Sequence, residues 1–227
     1  MDRKTNKCST KDKKCDILTI QGGDSIRPSE LFVEVTGQTG LFNIQAIDNI
    51  PSIMRHGLLS NEGAKRIAHT SIAMQEVQDR RDVKTVPNGL ALHKYANLYF
   101  DPRNPMLSAR RNQNENLCIL KIDASILDFR GVVVSDRNAS SSYASFYPPV
   151  IGIRNIDFNL VYATWWKDDD YYVEMKKKSI KCAEVLVPHE VPYNFIVCAA
   201  VVSEQAKHKL EAIGFDKEIV VKPGLFF

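Results

Sequence analysis

Short apolar runs rich in β-branched and aromatic residues recur along most of this chain of 227 residues. Runs of this kind, bounded by Gly, Pro, Asn and Ser, are typical of β-strands. They do not alternate regularly with helical segments, as the strands of a doubly wound fold do. The pattern therefore predicts a mixed α+β fold with mostly antiparallel strands. The predicted strands lie at 42–44, 98–100, 117–122, 132–134, 183–187, 196–202 and 219–221.

The N-terminal region differs in composition from the rest of the chain. Residues 1–16 are rich in Lys, Thr and Ser, which predicts a disordered arm. Residues 17–40 contain four glycines and Pro28, which predicts an irregular extension with one short strand at 31–35. We therefore expect a partly disordered extension over residues 1–40, followed by a single domain over residues 41–227.

Helix start and stop signals occur at three places. One helix is predicted between Asp48, as its N-cap, and Gly57, just past its end. A second is predicted at 70–81, where apolar side chains recur at helical spacing. A third is predicted at 202–213, because Gly214 follows the last apolar position.

Composition and motifs exclude several classes of protein. No apolar run approaches the length of a membrane span, and the N-terminus has no apolar leader, so we expect a soluble cytoplasmic protein without a membrane partner. The net charge of +3 argues against wholesale coating of a phosphate backbone and permits a local basic groove. The five cysteines have irregular spacing, and no HExxH, CxxC, GxSxG or Gly-rich phosphate loop occurs. We expect no bound metal.

An aromatic strand segment ends at a stiff corner. Leu98-Tyr99-Phe100 is followed by Asp101 and two nearby prolines, with Arg103 between them. Proline fixes its own φ and forces extended geometry on the residue before it. The corner is either an ordinary strand exit with a solvated arginine or a rigid mount for Arg103.

Two charged residues, Glu184 and Arg81, are candidates for a functional role. Glu184 lies in the predicted strand 183–187, and period-two alternation places it with Leu186 on the face opposite Val185. It either pairs on a solvated edge with one of Lys176, Lys177, Lys178 and Lys181 or is functional. Arg81 ends a predicted helix, where it either complements the helix dipole or binds an anionic ligand.

A set of short segments occurs in the same order as in one known family. They are Ile47-Asp48-Asn49-Ile50-Pro51-Ser52-Ile53, His56-Gly57-Leu58-Leu59, Gln78-Asp79-Arg80-Arg81, Leu98-Tyr99-Phe100, Arg103-Asn104-Pro105-Met106-Leu107, Ser135-Asp136-Arg137-Asn138-Ala139, Ala183-Glu184-Val185-Leu186-Val187 and Val221-Lys222-Pro223-Gly224-Leu225-Phe226-Phe227. On these segments, residues 42–227 resemble the DarT family, the DNA ADP-ribosyltransferase toxins of bacterial DarT–DarG toxin–antitoxin systems.

The resemblance implies a fold and an activity. The fold is the ADP-ribosyltransferase fold, with two packed antiparallel β-sheets, flanking helices and NAD+ in the cleft between the sheets. The activity is transfer of ADP-ribose from NAD+ to a thymine or guanine base of single-stranded DNA, with release of nicotinamide. The resemblance also implies a macrodomain antitoxin as partner, and we expect the chain itself to be a monomer.

The resemblance also assigns residues. It implies that Glu184 and Arg81 are catalytic: a carboxylate stabilises the oxocarbenium-like centre that forms when nicotinamide leaves. The implied NAD+ contacts are Asn43, Gln45, Asn49, Leu58, Arg81 and Tyr99. The implied DNA contacts are Arg103, Arg137, Asn138, Tyr143 and Lys178.

Two positions depart from the family pattern. Asn43 stands where the family commonly has His; it can hydrogen-bond NAD+ but does not titrate near neutral pH. Lys178 stands where a relative has Arg, so it keeps the charge and loses bidentate geometry. The alternatives are the same chemistry on RNA or protein, and a catalytically silent module that binds NAD+ or nucleic acid. Retention of both Arg81 and Glu184 argues against the silent module.

Overall fold

The computed structural model describes residues 26–227. The predicted arm at 1–16, with Cys8 and Cys15, lies outside the described residues. In the described part the helices are α1 (Pro28–Thr36), α2 (Ile50–His56), α3 (Asn61–Ala64), α4 (Gln75–Asp82), α5 (Pro105–Ser108), α6 (Pro149–Asn155), α7 (Phe158–Val161), α8 (Tyr171–Lys181) and α9 (Glu204–Ala212). The strands are β1 (Gly40–Ala46), β2 (Leu58–Leu59), β3 (Tyr95–Tyr99), β4 (Leu117–Asp123), β5 (Val133–Ser135), β6 (Phe146–Tyr147), β7 (Glu184–Pro188), β8 (Glu190–Val191), β9 (Ile196–Val201) and β10 (Glu218–Val221).

Eight of these strands form one sheet in the order β10-β9-β4-β1-β3-β7-β5-β6. Its neighbours are antiparallel, except that β10 runs parallel to β9. Strands β1 and β4 pair along their whole length, as do β3 and β7, whereas β1 meets β3 only at Phe42 and Tyr99. The sheet is therefore two four-stranded halves that share one residue pair. The two predicted sheets are continuous at that point.

The main core lies on one face of this sheet. On β7, Val185 and Val187 belong to the main core, whereas Leu186 packs into a smaller cluster with Leu92 and Tyr95 on the other face. The predicted alternation of this strand is therefore confirmed. Glu184 shares the face of Leu186 and so points away from the main core, which leaves its carboxylate free for polar partners.

The strand predicted at 31–35 is wrong, because these residues lie in helix α1. Pro28 occupies the first turn, the Glu30 carboxylate accepts a hydrogen bond from the Arg27 backbone N–H at 3.3 Å, and Gly37 ends the helix with φ of 67°. Leu31 and Phe32 then enter the main core. Residues 28–36 of the predicted extension thus pack onto the folded body.

The other predicted elements are present with shifted ends. Each predicted strand of the body overlaps one of the strands β1, β3, β4, β5, β7, β9 and β10. The helices predicted before Gly57 and before Gly214 are α2 and α9. The helix predicted at 70–81 starts later, at Gln75, and residues 70–74 are irregular and line the cleft described below.

None of the helices over residues 26–227 is long and apolar enough to cross a bilayer.

Candidate active site

A cleft of about 1110 Å³ opens where the two halves of the sheet separate. Its walls come from β1, β3, α4, α8 and the loop after β5. Nearly all of the predicted binding residues line it. They are Asn43, Gln45, Asn49, Leu58, Arg81 and Tyr99 from the NAD+ set and Arg137, Asn138, Tyr143 and Lys178 from the DNA set.

Arg81 and Glu184 form a buried ion pair beside this cleft. The Arg81 Nη1 donates to both carboxylate oxygens of Glu184, at 3.2 and 3.0 Å. The backbone N–H of Ala139 donates to Oε1 of the same carboxylate at 3.0 Å. Glu184 has no exposed surface, and Arg81 is 7% exposed. The solvated-edge interpretation of Glu184 is therefore wrong: its partner is Arg81, across a separation of 103 positions in the sequence.

None of the four lysines considered as partners for Glu184 pairs with it, and three of them, Lys177, Lys178 and Lys181, have other carboxylate partners. Lys178 pairs with Glu174 at 3.0 Å, and Lys177 pairs with Asp168 at 2.6 Å. Lys181 is fully buried and pairs with Asp101 at 2.6 Å. This leaves the Glu184 carboxylate to the arginine at the end of α4.

Tyr99 lies between the two halves of the sheet. It is opposite Glu184 in the β3–β7 register and opposite Phe42 across the single β1–β3 pair. Burial raises the pKa of the Tyr99 phenol far above its ordinary value, and the Glu184 charge raises it further. The hydroxyl therefore stays protonated at any working pH, so it can hydrogen-bond a ligand but cannot act as a base.

Asn43 places an unpaired acceptor on the cleft wall. Its Nδ2 donates to the Asn97 carbonyl at 2.9 Å, while its buried Oδ1 has no hydrogen-bond partner in the described part of the protein. Leaving a buried acceptor unpaired costs about 1–3 kcal/mol. Because Asn43 also lines the cleft, a ligand donor such as a ribose hydroxyl or a carboxamide N–H would satisfy it.

Asn49 fixes the opposite wall. Its Nδ2 donates to Gln45 Oε1 at 3.1 Å and to the Thr70 carbonyl at 2.9 Å. Its Oδ1 accepts from the Thr70 N–H at 2.8 Å. These contacts hold the segment before α4 along the cleft, where it can cover a bound dinucleotide.

Four of the five predicted DNA contacts line this cleft, and the opening beside them is called its mouth below. Arg137 pairs with Asp136 at 2.9 Å, and the Asn138 N–H donates to the Ser179 carbonyl on α8 at 2.8 Å. The Tyr143 ring is 80% exposed. An exposed ring beside basic side chains can stack on a nucleobase while the charges contact phosphates.

Arg103 lies away from the other predicted DNA contacts. Its guanidinium donates to the carbonyls of Gly224, at 3.2 Å, and Phe226, and stacks 4.2 Å from the Phe227 ring centroid. Its backbone N–H donates to Asp101 Oδ1 at 3.0 Å, an additional local contact at the corner. The DNA contact predicted for Arg103 stays a prediction, and its present partners hold residues 224–227 to the body.

Sequence reasoning missed two groups at this site, the Ala139 backbone amide and Lys84. The Lys84 ammonium donates to the Ser141 carbonyl, next to the Glu184 pair. A backbone amide carries no signal in residue type, and Lys84 lies outside every motif used above. Among residues 26–227, no group of three His, Cys, Asp or Glu side chains could hold a metal ion.

Residues 42–227 match the model of a family described as "ssDNA thymidine ADP-ribosyltransferase, DarT". A DNA ADP-ribosyl transferase of Thermus sp. (strain 2.9) is 31% identical over 178 residues, covering 74% of this chain and 83% of the relative. A DNA ADP-ribosyl transferase–DNA ADP-ribosyl glycohydrolase fusion protein of Thermosipho africanus is 30% identical over 193 residues. That match covers 81% of this chain and 47% of the fusion protein, so the chain spans about half the length of that relative.

Solved structures show the same fold. The DarT of Thermus sp. 2.9 in complex with ADP-ribosylated single-stranded DNA superimposes with a TM-score of 0.74 at 26% identity, over 83% of this chain and 96% of that one. The same enzyme in complex with carba-NAD+ gives a TM-score of 0.69 at 25% identity, over 83% and 98% of the two chains. The predicted α+β ADP-ribosyltransferase fold is thereby confirmed.

Proposed function

Because this chain belongs to the DarT family of NAD+-dependent DNA ADP-ribosyltransferases, we propose that it modifies thymine in single-stranded DNA, with Glu184 and Arg81 as its catalytic residues. The observation that carries the assignment of residues is their buried pair at the cleft wall. The pair brings a negative and a positive group to the place where a dinucleotide and a base can meet. The thymine assignment follows the description of the family that the chain matches.

The reaction breaks the bond between nicotinamide and the ribose C1′. Positive charge develops on the ribose as nicotinamide departs, and the Glu184 carboxylate stabilises it. The imino nitrogen of thymine then bonds to C1′, and its proton passes to the carboxylate. Arg81 offers a permanent charge and a planar set of donors that suits the NAD+ diphosphate.

The remaining cleft residues are proposed to hold NAD+ in place. Asn43 Oδ1 accepts a hydrogen bond from the ribose or the carboxamide, which supplies the partner that this atom lacks. Because asparagine does not titrate near pH 7, this contact is independent of pH there. The protonated Tyr99 hydroxyl, together with Gln45, Asn49 and Leu58, completes the surface for the dinucleotide.

DNA enters from the mouth formed by Arg137, Asn138, Tyr143 and Lys178. The target base must leave the stack before its edge can reach C1′, so a single strand is the favoured substrate. For Arg103 to contact this strand, its guanidinium would first have to leave the carbonyls of residues 224–226. We therefore assign Arg103 a bracing role as well as the predicted contact.

We also propose that the chain acts as a toxin whose partner is a macrodomain antitoxin. The Thermosipho relative joins a transferase to an ADP-ribosyl glycohydrolase in one polypeptide. A hydrolase that removes ADP-ribose from DNA would reverse the modification proposed here. The test is to modify single-stranded DNA with this protein and then add a purified macrodomain ADP-ribosyl glycohydrolase. Persistence of the ADP-ribose adduct would count against the proposal.

The test of the reaction uses NAD+ and a set of oligonucleotides read by mass spectrometry. We expect an ADP-ribose adduct on single strands that contain thymine and none on thymine-free or duplex DNA. Glu184→Gln should lower the rate by at least about 10²–10³-fold. Glu218→Gln, on the exposed start of β10, is the matched control and should leave the rate unchanged. Adducts on guanine alone would overturn the thymine assignment, and full activity of Glu184→Gln would overturn the catalytic one.

A further inference from the structure

The proposed catalytic carboxylate is covered by a loop. Glu184 has no exposed surface although its partner Arg81 lines the cleft. The cover consists of residues 138–142, hereafter the covering loop. Its Ala139 is also fully buried, donates its N–H to Glu184 Oε1 at 3.0 Å and packs in the small cluster with Val86 and Leu186. The position of the covering loop therefore determines whether the Ala139 amide can donate to Glu184.

The covering loop is held at three places. Ala139 contacts Glu184, and the Asn138 N–H donates to the Ser179 carbonyl on α8 at 2.8 Å. The third contact is the Lys84 ammonium, which donates to the Ser141 carbonyl. Within the loop, Asn138 Oδ1 accepts from the Ser140 N–H at 2.9 Å and from its hydroxyl at 2.7 Å. Of these three contacts, the one made by Lys84 comes from the segment that follows α4.

The Lys84 ammonium donates to a backbone carbonyl, that of Ser141, and forms no ion pair with a carboxylate of the described residues. No Asp or Glu oxygen of the described residues lies within 4.0 Å of its Nζ. Its Nζ lies 5.3 Å from the Phe146 ring centroid. Burial lowers the pKa of Lys84, and the charge of Arg81 lowers it further, while Glu184 and Asp136 act in the opposite direction. A charge-assisted hydrogen bond from this ammonium to the Ser141 carbonyl holds the backbone of the loop at that point.

The position of Lys84 links the loop to the ion pair. Its backbone N–H donates to the Arg81 carbonyl at 3.2 Å, directly after α4. The same short segment therefore supplies the partner of Glu184 and the tether of the loop that covers Glu184. A shift of this segment would move both together.

We propose that Lys84 is a positioning residue, which holds the covering loop so that its DNA contacts and the Ala139 amide stay in register with Glu184. The inference rests on the proposed function, since Arg137, Asn138 and Tyr143 are the proposed DNA contacts on and beside this loop. Loss of the tether frees the loop and weakens DNA binding. Lys84 is not one of the proposed NAD+ contacts, and the ion pair of Arg81 with Glu184 does not involve its side chain, so NAD+ binding is preserved.

The test compares Lys84→Met and Lys84→Gln with the conservative variant Lys84→Arg. We expect the two neutral variants to raise the KM for the oligonucleotide about tenfold, the usual effect of losing a charge-assisted hydrogen bond. The KM for NAD+ should change by less than about twofold, since no NAD+ contact is removed. Lys84→Arg should restore the oligonucleotide KM, because a guanidinium can also donate to the Ser141 carbonyl. Lys207→Met, on the surface of α9, is the control and should change neither value.

A second readout does not depend on catalysis. Hydrogen exchange at the Ala139 amide should become faster in the neutral variants and stay slow in Lys84→Arg and Lys207→Met. An equal rise in both KM values, or unchanged exchange at Ala139, would overturn the inference. Wild-type protein that modifies no DNA would overturn the proposed function instead, while the exchange measurement would still decide whether Lys84 tethers the loop.

Discussion

The two charges of the Arg81–Glu184 pair should be energetically coupled, so that removing both costs less stability than the sum of the two single removals. Arg81→Met leaves the Glu184 carboxylate without surface exposure and with the Ala139 N–H as its remaining donor. Breaking a buried pair in this way costs about 3–5 kcal/mol of unfolding free energy. For a domain of this size that corresponds to a fall in Tm of about 6–20 °C.

Glu184→Gln is the milder perturbation of the same pair. The Gln amide oxygen can still accept from Arg81 and from the Ala139 N–H, so the hydrogen bonds survive while the charge is lost. In the double variant Arg81→Met/Glu184→Gln no unpaired charge remains in the protein interior. The cost of the double variant should therefore be smaller than the sum of the single costs by about 1–3 kcal/mol.

The assay is urea-induced unfolding followed by tryptophan fluorescence, with adduct formation measured on the same preparations. All three variants should be inactive, because each lacks one of the proposed catalytic groups. Additive stability costs, within about 0.5 kcal/mol, would refute the claim that the two side chains form an energetically coupled pair. Activity in the double variant would refute their catalytic roles separately from their structural one.

Two further predictions concern residues outside the ion pair. Phe32→Ala in α1 should lower the unfolding free energy by about 3–5 kcal/mol, whereas Val33→Ala, 41% exposed on the same helix, should change it little; equal effects would show that α1 is not docked. Burial raises the pKa of both Cys118 and Cys182 to about 12, so these thiols should resist iodoacetamide at pH 8 until the protein is unfolded, as peptide mapping can show. Rapid alkylation of either thiol in the native protein would contradict its burial.

The sequence was informative where a signal is local. Alternation along 183–187 placed Glu184 on the face away from the main core, because side chains of a strand alternate whatever the tertiary context. The two prolines around Arg103 predicted a stiff corner, because proline acts on its own backbone and its neighbour. In contrast, no local rule shows that Arg103 would contact residues 224–227.

The rest of the site depends on contacts between distant segments. The 31–35 run contains β-branched residues typical of a strand, but the caps at Arg27 and Gly37 and the burial of Leu31 and Phe32 favour a helix. The Ala139 amide could not be found from residue types, because every residue except proline carries the same backbone N–H. The Lys84 tether could not be found either, because a lysine side chain is most often solvated. Family resemblance implied a catalytic role for Arg81 and for Glu184 separately, and the structure shows that the two side chains form an ion pair.

The interleaved order of the sheet determines when activity can first exist during synthesis. Strand β3 is synthesised well before β7, its antiparallel partner in the sheet, because β7 begins only at Glu184. Arg81 likewise emerges from the ribosome 103 residues before the carboxylate that it pairs with. A nascent chain that stops short of β7 lacks both the β3–β7 pairing and the Glu184 carboxylate. If Glu184 has the catalytic role proposed above, the chain stays inactive until most of it has been made.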